Sequence, residues 1–257
     1  MCTVSWLRRP GGYELFCNRD ERHTRKPARG PRVRERRGVR FIAPADGDHG
    51  GSWIGVNQFG LGLCLLNRYA GIAPGDARDF RSRGLLLKSL LDCRSPAQAE
   101  ARLSRAQLSR YQPFTLLVLS PGEPALIARW GERGRDIEHV ADAVMPLVSS
   151  AYRPAEVAAA RRQLLARMST AAGRLTPALL HDFHRSHEPE RGPYSVCMHR
   201  RDAATVSFSH IKVTGRVIEF SYRGQAPCAA GSPEVVVLSR AVEAVPLKRR
   251  AAGGGRL

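Results

Sequence analysis

The sequence contains little cysteine and no long apolar run. Its six cysteines are scattered over 257 residues without a CxxC pair, which excludes a disulfide-rich miniprotein and a CxxC zinc finger. No apolar stretch approaches the roughly 20 residues that a membrane-spanning helix requires, and the opening residues lack the apolar core of an export signal. We therefore expect a cytoplasmic protein with reduced thiols and no membrane span.

Lysine is also scarce, although the chain is strongly basic. Only four of its 41 basic residues are lysines, and the 23 acidic residues leave a formal charge of +18. This excess indicates either an anionic partner, such as nucleic acid or a membrane surface, or an arginine-rich composition with solvated side chains. Residues 19–40 hold ten basic residues against three acidic ones and are predicted to form an exposed loop. Since no aromatic side chain interrupts this loop, we expect no specific nucleic-acid partner.

Strand patterns and helix patterns follow one another in blocks. The predicted strands are 2–8, 13–18, 39–43, 52–57, 61–67, 114–120, 125–130, 194–199, 205–213 and 217–222, and the predicted helices lie within 84–110 and at 156–168 and 176–184. Ser95 and Thr176, each followed by proline, are expected to begin helices. This order predicts an α+β fold in which helices cover antiparallel sheets. We expect one domain over residues 1–247 and a flexible basic tail at 248–257.

Cys2 carries the most specific chemical signal in the sequence. Methionine aminopeptidases remove Met1 when a small residue follows, which would leave Cys2 with a free α-amine beside its thiol. An amine with a pKa of about 7.7 to 8.0 can take the proton of a thiol with a pKa of about 8.5 and later return it to a leaving group. Cys2 is therefore either a nucleophile that carries its own base or a small residue without a chemical role.

The predicted first hairpin places a set of charged residues near Cys2. In a hairpin with a two-residue turn at Pro10-Gly11, the numbers of paired residues sum to 21, so Cys2 lies opposite Arg19. A turn shifted by one residue moves the partner to Asp20 or Glu21. A guanidinium there would lower the thiol pKa, and a carboxylate would hold the ammonium. Neighbours on a regular strand point to opposite faces, so both reach Cys2 only if the strand ends there.

Four stretches of the sequence resemble the NRDE family, also called the transport and Golgi organisation protein 2 family. They are Met1-Cys2-Thr3, Phe16-Cys17-Asn18-Arg19-Asp20-Glu21, Gly50-Gly51-Ser52-Trp53-Ile54-Gly55-Val56-Asn57 and Leu65-Leu66-Asn67-Arg68-Tyr69. The resemblance covers roughly residues 1–222 and is densest over the first seventy. It implies the four-layer αββα sandwich of the N-terminal nucleophile hydrolases.

The sequence is similar, more distantly, to the cysteine branch that contains penicillin V acylases and bile salt hydrolases. That similarity implies that Cys2 is the nucleophile, that Arg19 and Asp20 flank it, and that Asn67 donates a hydrogen bond to the oxyanion. It also implies a second arginine late in the chain, for which Arg200 is preferred over Arg201. The chain departs from the branch in two ways: Arg19 and Asp20 are adjacent, and 147–151 holds serines in place of an active-site asparagine.

Several histidines and a cysteine could in principle bind a metal, but their spacing favours a role in core packing. His181, His184 and His187 recur every three residues, which is not the spacing of a helical metal pair. Cys197 and His199 are predicted to share one face of a strand. We expect no metal and no cofactor.

The sequence is compatible with three functions. The first is hydrolysis of a linear non-peptide amide through an acyl-thioester on Cys2, with a small acylated amide as the substrate. The alternative is a non-catalytic carrier or trafficking protein for a hydrophobic ligand, because the family is also linked to movement of haem or acyl lipids. A third is polyanion binding by residues 19–40. The sequence does not indicate the oligomeric state.

Overall fold

The computed structural model describes residues 2–69, 80–140 and 145–241. The predicted tail at 248–257 and the predicted domain end at 247 lie outside these residues. Within them the chain begins with the predicted hairpin, whose turn places Gly11 at a φ of 70°, a backbone conformation that glycine adopts without steric cost. Cys2 pairs with Arg19 across this hairpin, so the register derived from the turn is confirmed.

The described residues form thirteen strands and four α-helices. In chain order the strands are β1 Cys2–Arg9, β2 Gly12–Arg22, β3 Arg29–Arg36, β4 Val39–Ala45, β5 Ile54–Asn57, β6 Gly62–Asn67, β7 Phe114–Leu119, β8 Ala125–Gly131, β9 Gly134–Val140, β10 Leu147–Ser149, β11 Ala203–Val213, β12 Val217–Arg223 and β13 Glu234–Ser239. The helices are α1 Arg83–Leu90, α2 Pro96–Arg105, α3 Pro154–Ala172 and α4 Pro177–Arg185. Leu108–Arg110 forms a short 3-10 helix.

These elements stack in four layers. One sheet has the order β10-β1-β2-β11-β12-β13, the other has the order β3-β4-β5-β6-β7-β8-β9, and neighbouring strands pair antiparallel. One apolar cluster fills the space between the sheets, a second joins the seven-stranded sheet to α1 and α2, and a third joins the six-stranded sheet to α3 and α4. The predicted α+β class and the αββα layer order are confirmed.

The local signals for helix starts are also confirmed. Ser95 accepts a hydrogen bond from the Gln98 backbone N–H at 3.3 Å, and Thr176 accepts one from the Leu179 backbone N–H at 3.2 Å. Each hydroxyl satisfies one of the backbone donors that a helix leaves free at its first turn. None of the helices among the described residues is both long enough and apolar enough to cross a membrane.

Two predictions of local structure are wrong. Residues 19–40 do not form a loop, because β2 continues to Arg22 and β3 forms the outer strand of its sheet. Exposed arginines are compatible with an edge strand, where charge discourages pairing with another chain. Residues 194–199 were expected to form a strand but make one isolated bridge, between His199 and Ala204, since the Cys197 N–H donates instead to the Ser186 carbonyl at 3.0 Å.

Besides β3, three strands were not predicted, namely β9, β10 and β13. The first and last are largely polar or exposed on both faces, and β10 has three residues. Such strands carry too little apolar alternation for a periodicity argument.

Candidate active site

Four of the five candidate residues line one cavity. It has a volume of about 790 Å³, and Cys2, Arg19, Asp20 and Asn67 all contribute to its wall. The cavity lies where β1 begins, beside the end of β6 in the opposite sheet. The two-sheet architecture therefore brings together residues that are far apart in sequence, and only Arg200 lies elsewhere.

Cys2 is held between two strands of the six-stranded sheet. It pairs with Arg19 of β2 on one side and with Ser149 of β10 on the other. The Ser149 hydroxyl donates to the Asn67 backbone carbonyl at 2.5 Å. This bond ties the edge of one sheet to the end of a strand in the other, which positions Asn67 beside the cavity that Cys2 lines.

The Cys2 thiol is buried and favours its protonated form. Its side chain interacts with Cys17, the diagonal neighbour on β2, and this hydrogen bond together with burial raises the pKa of the Cys2 thiol well above its ordinary value. The negative charge of Asp20 acts in the same direction. A base that takes this proton is therefore needed before the sulfur can act as a nucleophile.

Arg19 is fixed by carboxylates and by an aromatic ring. Its guanidinium donates to Asp46 at 2.8 Å and to Glu21 at 3.3 Å, and it lies 4.5 Å from the centre of the Trp53 ring. Arg25 also binds Asp46, at 2.8 Å. The carboxylates and the ring therefore fix the orientation of the Arg19 guanidinium in the cavity wall.

Asp20 is buried at the point where the pairing of β2 is irregular. It accepts a hydrogen bond from the Thr205 hydroxyl at 2.6 Å, and it forms an ion pair with Arg161 at 3.5 Å. The β2–β11 register shifts between Thr205 and Ser207, which is a β-bulge of the kind that redirects side chains near active sites. The strand does not end at Asp20, yet adjacent Arg19 and Asp20 both line the cavity.

Arg161 is the residue that the sequence analysis missed. It lies on α3, is 1% exposed, and donates to the Thr3 hydroxyl and to the Tyr194 carbonyl. Burial lowers the pKa of its guanidinium, while the charge of Asp20 acts in the opposite direction. The signal was available in the sequence, because Arg161 follows Val157 by four residues and precedes Leu165 by four, on the apolar face of the helix.

Asn67 ends β6 with a half-buried side chain. Its amide nitrogen donates to the Tyr69 hydroxyl at 3.3 Å, and both side chains line the cavity. A side-chain amide in this position has the donor that an oxyanion requires.

Arg200 lines a smaller neighbouring cavity of about 190 Å³. It donates to Asp202 at 2.8 Å and lies 5.6 Å from the centre of the Tyr152 ring. The two cavities share the wall formed by Asp20, Glu21, Arg22 and Tyr69. The structure thus separates Arg200 from Cys2 while leaving it next to the same group of residues.

Many charged side chains line the main cavity. Five arginines and three carboxylates of the described residues line it: Arg19, Arg22, Arg25, Arg81, Arg83, Asp20, Glu21 and Asp46. Arg83 donates to the Pro113 carbonyl at 2.9 Å, and burial lowers the pKa of its guanidinium. The arrangement suits a ligand with a polar or anionic part better than a wholly apolar one.

The family model for Transport and Golgi organisation 2 matches residues 1–191. The chain belongs to the Transport and Golgi organisation 2 family. The family resemblance drawn from the four sequence stretches is therefore confirmed. No curated protein matches the sequence of this family member.

Solved structures show which fold this family member shares. An N-acylethanolamine-hydrolyzing acid amidase orthologue of Caenorhabditis elegans has a TM-score of 0.60 at 11% identity, with 90% of this chain and 95% of that chain covered. The conjugated bile acid hydrolase of Clostridium perfringens has a TM-score of 0.60 at 10% identity, with 94% of this chain and 97% of that chain covered. The penicillin V acylase of Agrobacterium tumefaciens has a TM-score of 0.55 at 12% identity, with 93% of this chain and 86% of that chain covered. The Transport and Golgi organisation 2 chain has the N-terminal nucleophile hydrolase fold.

Proposed function

We propose that the protein hydrolyses a linear non-peptide amide, with Cys2 as the N-terminal nucleophile after removal of Met1. The observation that carries the proposal is the convergence of Cys2, Arg19, Asp20 and Asn67 on one cavity. The similarity in fold to an acid amidase, a bile acid hydrolase and a penicillin acylase supports the reaction class. The six free cysteines are compatible with the reducing cytoplasm in which we place this chemistry.

The proposed reaction has two stages. The α-amine of Cys2 takes the thiol proton, the sulfur attacks the amide carbonyl carbon, and the resulting ammonium returns the proton to the departing amine as the C–N bond breaks. The acyl group then remains on Cys2 as a thioester. The same amine takes a proton from water, which attacks the thioester carbonyl. The resulting ammonium returns that proton to the sulfur as the C–S bond breaks and the carboxylic acid leaves.

Each neighbour of Cys2 has a distinct proposed role. The Asn67 amide donates to the oxyanion that forms in both stages, an interaction typically worth about 2.7 to 4 kcal/mol in the transition state. Asp20 orients the ammonium of Cys2, and Arg161 stabilises the buried Asp20 carboxylate at 3.5 Å. Arg19, held by Asp46 and Trp53, positions the substrate. Arg200 binds the distal part of the substrate through the neighbouring cavity.

The decisive experiment combines intact mass analysis with a substrate panel. The protein is alkylated briefly near neutral pH, the labelled cysteine is mapped, and N-acyl amides differing in acyl and amine parts are then assayed. We expect Met1 to be absent, Cys2 to label before the other cysteines, and turnover to disappear in Cys2→Ala. Cys93→Ala is the matched control, since Cys93 is also buried but lies in the layer of α1 and α2.

Two results would reject the hydrolase proposal. If Met1 is retained, Cys2 has no free α-amine to act as the base. If Cys2→Ala keeps full turnover, the Cys2 thiol is not the nucleophile. The carrier alternative predicts saturable binding of haem or an acyl lipid that persists in Cys2→Ala, so equilibrium titration of that variant distinguishes the two functions.

A further inference from the structure

A second cluster of reactive side chains lies outside the cavity that Cys2 lines. His187, Cys197, His199 and Cys228 place one ligand atom each within 4.8 Å of the others. His187 follows α4, Cys197 and His199 precede β11, and Cys228 follows β12. Three separate segments of the chain therefore converge on one point.

The distances within this four-residue cluster match those of a tetrahedral metal centre. His199 Nε2 lies 3.2 Å from His187 Nε2, 3.5 Å from Cys197 Sγ and 3.5 Å from Cys228 Sγ. Zinc bonds of about 2.3 Å to sulfur and about 2.05 Å to nitrogen give ligand separations of about 3.4 Å for N–N and about 3.6 Å for N–S in a tetrahedron. The side chains are thus spaced as if around a cation.

Hydrogen bonding alone accounts poorly for this arrangement. One hydrogen on His199 Nε2 can serve one of its three close neighbours at a time, whereas a central cation satisfies all four ligand atoms together. Cys197 is buried and the other three are partly buried, so water does not solvate the cluster freely. Of the histidines spaced by three on and after α4, only His187 takes part.

The ligand types in the cluster also fit a divalent cation. Imidazole nitrogens bind a metal in their neutral form, and two thiolates balance the charge of a divalent ion.

We propose that His187, Cys197, His199 and Cys228 form a structural zinc site. Two sulfur and two nitrogen ligands in tetrahedral spacing favour zinc over harder cations. Four protein ligands leave no open coordination position, which is typical of a structural site and not of a catalytic one. This proposal does not depend on the hydrolase proposal.

The site would order a segment that has little regular structure of its own. Residues 186–198 contain no helix or strand, yet the backbone N–H of Met198 donates to the Thr205 hydroxyl at 2.8 Å. Thr205 in turn donates to Asp20 at 2.6 Å. Zinc would therefore fix the backbone that supports the Asp20 carboxylate.

The test measures metal in the full-length protein purified without chelator. We expect about one zinc ion per chain. After chelation, titration with Co²⁺ is expected to give a thiolate charge-transfer band and the intense visible bands of tetrahedral cobalt. Cys228→Ser, which removes a partly exposed ligand, is expected to weaken zinc binding at least about tenfold. Chelation should lower the unfolding midpoint of the unaltered protein by more than that of Cys228→Ser.

The controls are a cysteine and a histidine outside the cluster. Cys93→Ala and His181→Gln are expected to retain stoichiometric zinc and the cobalt spectrum. The proposal is overturned if the chelated unaltered protein gives no tetrahedral cobalt spectrum or if Cys228→Ser binds zinc as tightly as the unaltered protein. A Cys197–Cys228 disulfide without metal in the protein as isolated also overturns it.

Discussion

Arg161 and Asp20 form an ion pair at 3.5 Å with both side chains almost completely buried. The pair connects α3, in the helical layer, to β2 of the six-stranded sheet on which that layer packs. Thr3, beside Cys2, accepts a further hydrogen bond from Arg161. Arg161, which was not predicted as a site residue, therefore pairs with a carboxylate that lines the same cavity as Cys2.

Replacing Arg161 should destabilise the fold strongly. In Arg161→Ala the buried Asp20 carboxylate loses the counter-charge of Arg161, and breaking a buried pair in this way typically costs about 3 to 5 kcal/mol. The free energy of unfolding from urea titration measures the effect. Arg167→Ala is the control on the same helix. Arg167 pairs with Glu188, both side chains are 62% exposed, and such a surface pair contributes at most about 1 kcal/mol. Equal losses in the two variants would contradict the argument.

Removing Cys17 should make Cys2 more reactive. The hydrogen bond with Cys17 is the largest cause that raises the pKa of the Cys2 thiol, so Cys17→Ala is expected to lower that pKa and increase the thiolate fraction at pH 7.5 several-fold. The pH dependence of alkylation at Cys2, mapped by mass spectrometry, measures the shift. Cys93→Ala should leave the profile unchanged. An unshifted profile in Cys17→Ala would rule out this coupling between the thiols.

The parts of the fold that depend on local sequence could be predicted. The hairpin register followed from one turn at Pro10-Gly11. Ser95 and Thr176 predicted the helix starts, because an N-cap residue interacts only with the first turn of its own helix. By contrast, β10 pairs Ser149 with Cys2, and no local pattern in a three-residue strand identifies a partner so distant in sequence. Ser149 also donates to the Asn67 carbonyl of the opposite sheet, a contact that only the folded layers bring together.

The candidate site was predictable to the same extent. Cys2 and Arg19 follow from the hairpin, while Asp20 reaches the cavity beside a bulge in β11 that the sequence does not signal. Arg161 was visible as a charge on an apolar helix face, but its partner could be named only from the packed layers. The four-residue cluster was predictable only in part. Cys197 and His199 were expected on the same face of one strand, but nothing in the sequence connects Cys228 to them.

Arg200 should affect substrate binding more than chemistry. It lines the neighbouring cavity and contacts Asp202 and Tyr152, so it lies outside the set around Cys2. For an amide substrate found in the panel, Arg200→Ala is expected to raise KM with little change in kcat, the pattern of lost uniform binding. Asn67→Ala should instead lower kcat by about 100- to 1000-fold. A fall in kcat of that size for Arg200→Ala would place Arg200 at the reacting atoms.

Stability should fall as the pH drops below neutral. His210 stacks on Phe16 at 4.2 Å and faces His181, and burial lowers its pKa to about 4 despite a hydrogen bond to Glu14. The unfolded chain, with a histidine pKa of about 6.5, therefore takes up a proton at pH 5 that the folded chain does not.

This difference in proton uptake gives a measurable slope. Between pH 7.5 and pH 5 His210 alone is expected to reduce the free energy of unfolding by about 2 kcal/mol, and below pH 4 its contribution becomes constant. Urea titrations at both pH values measure the loss, which should be smaller in His210→Gln. His139→Gln, which replaces a histidine that is about half exposed, is titrated in parallel. If His210→Gln retains the full pH dependence, burial of the His210 imidazole does not cause that dependence. The residue to replace next is then the neighbouring His184, whose pKa burial also lowers.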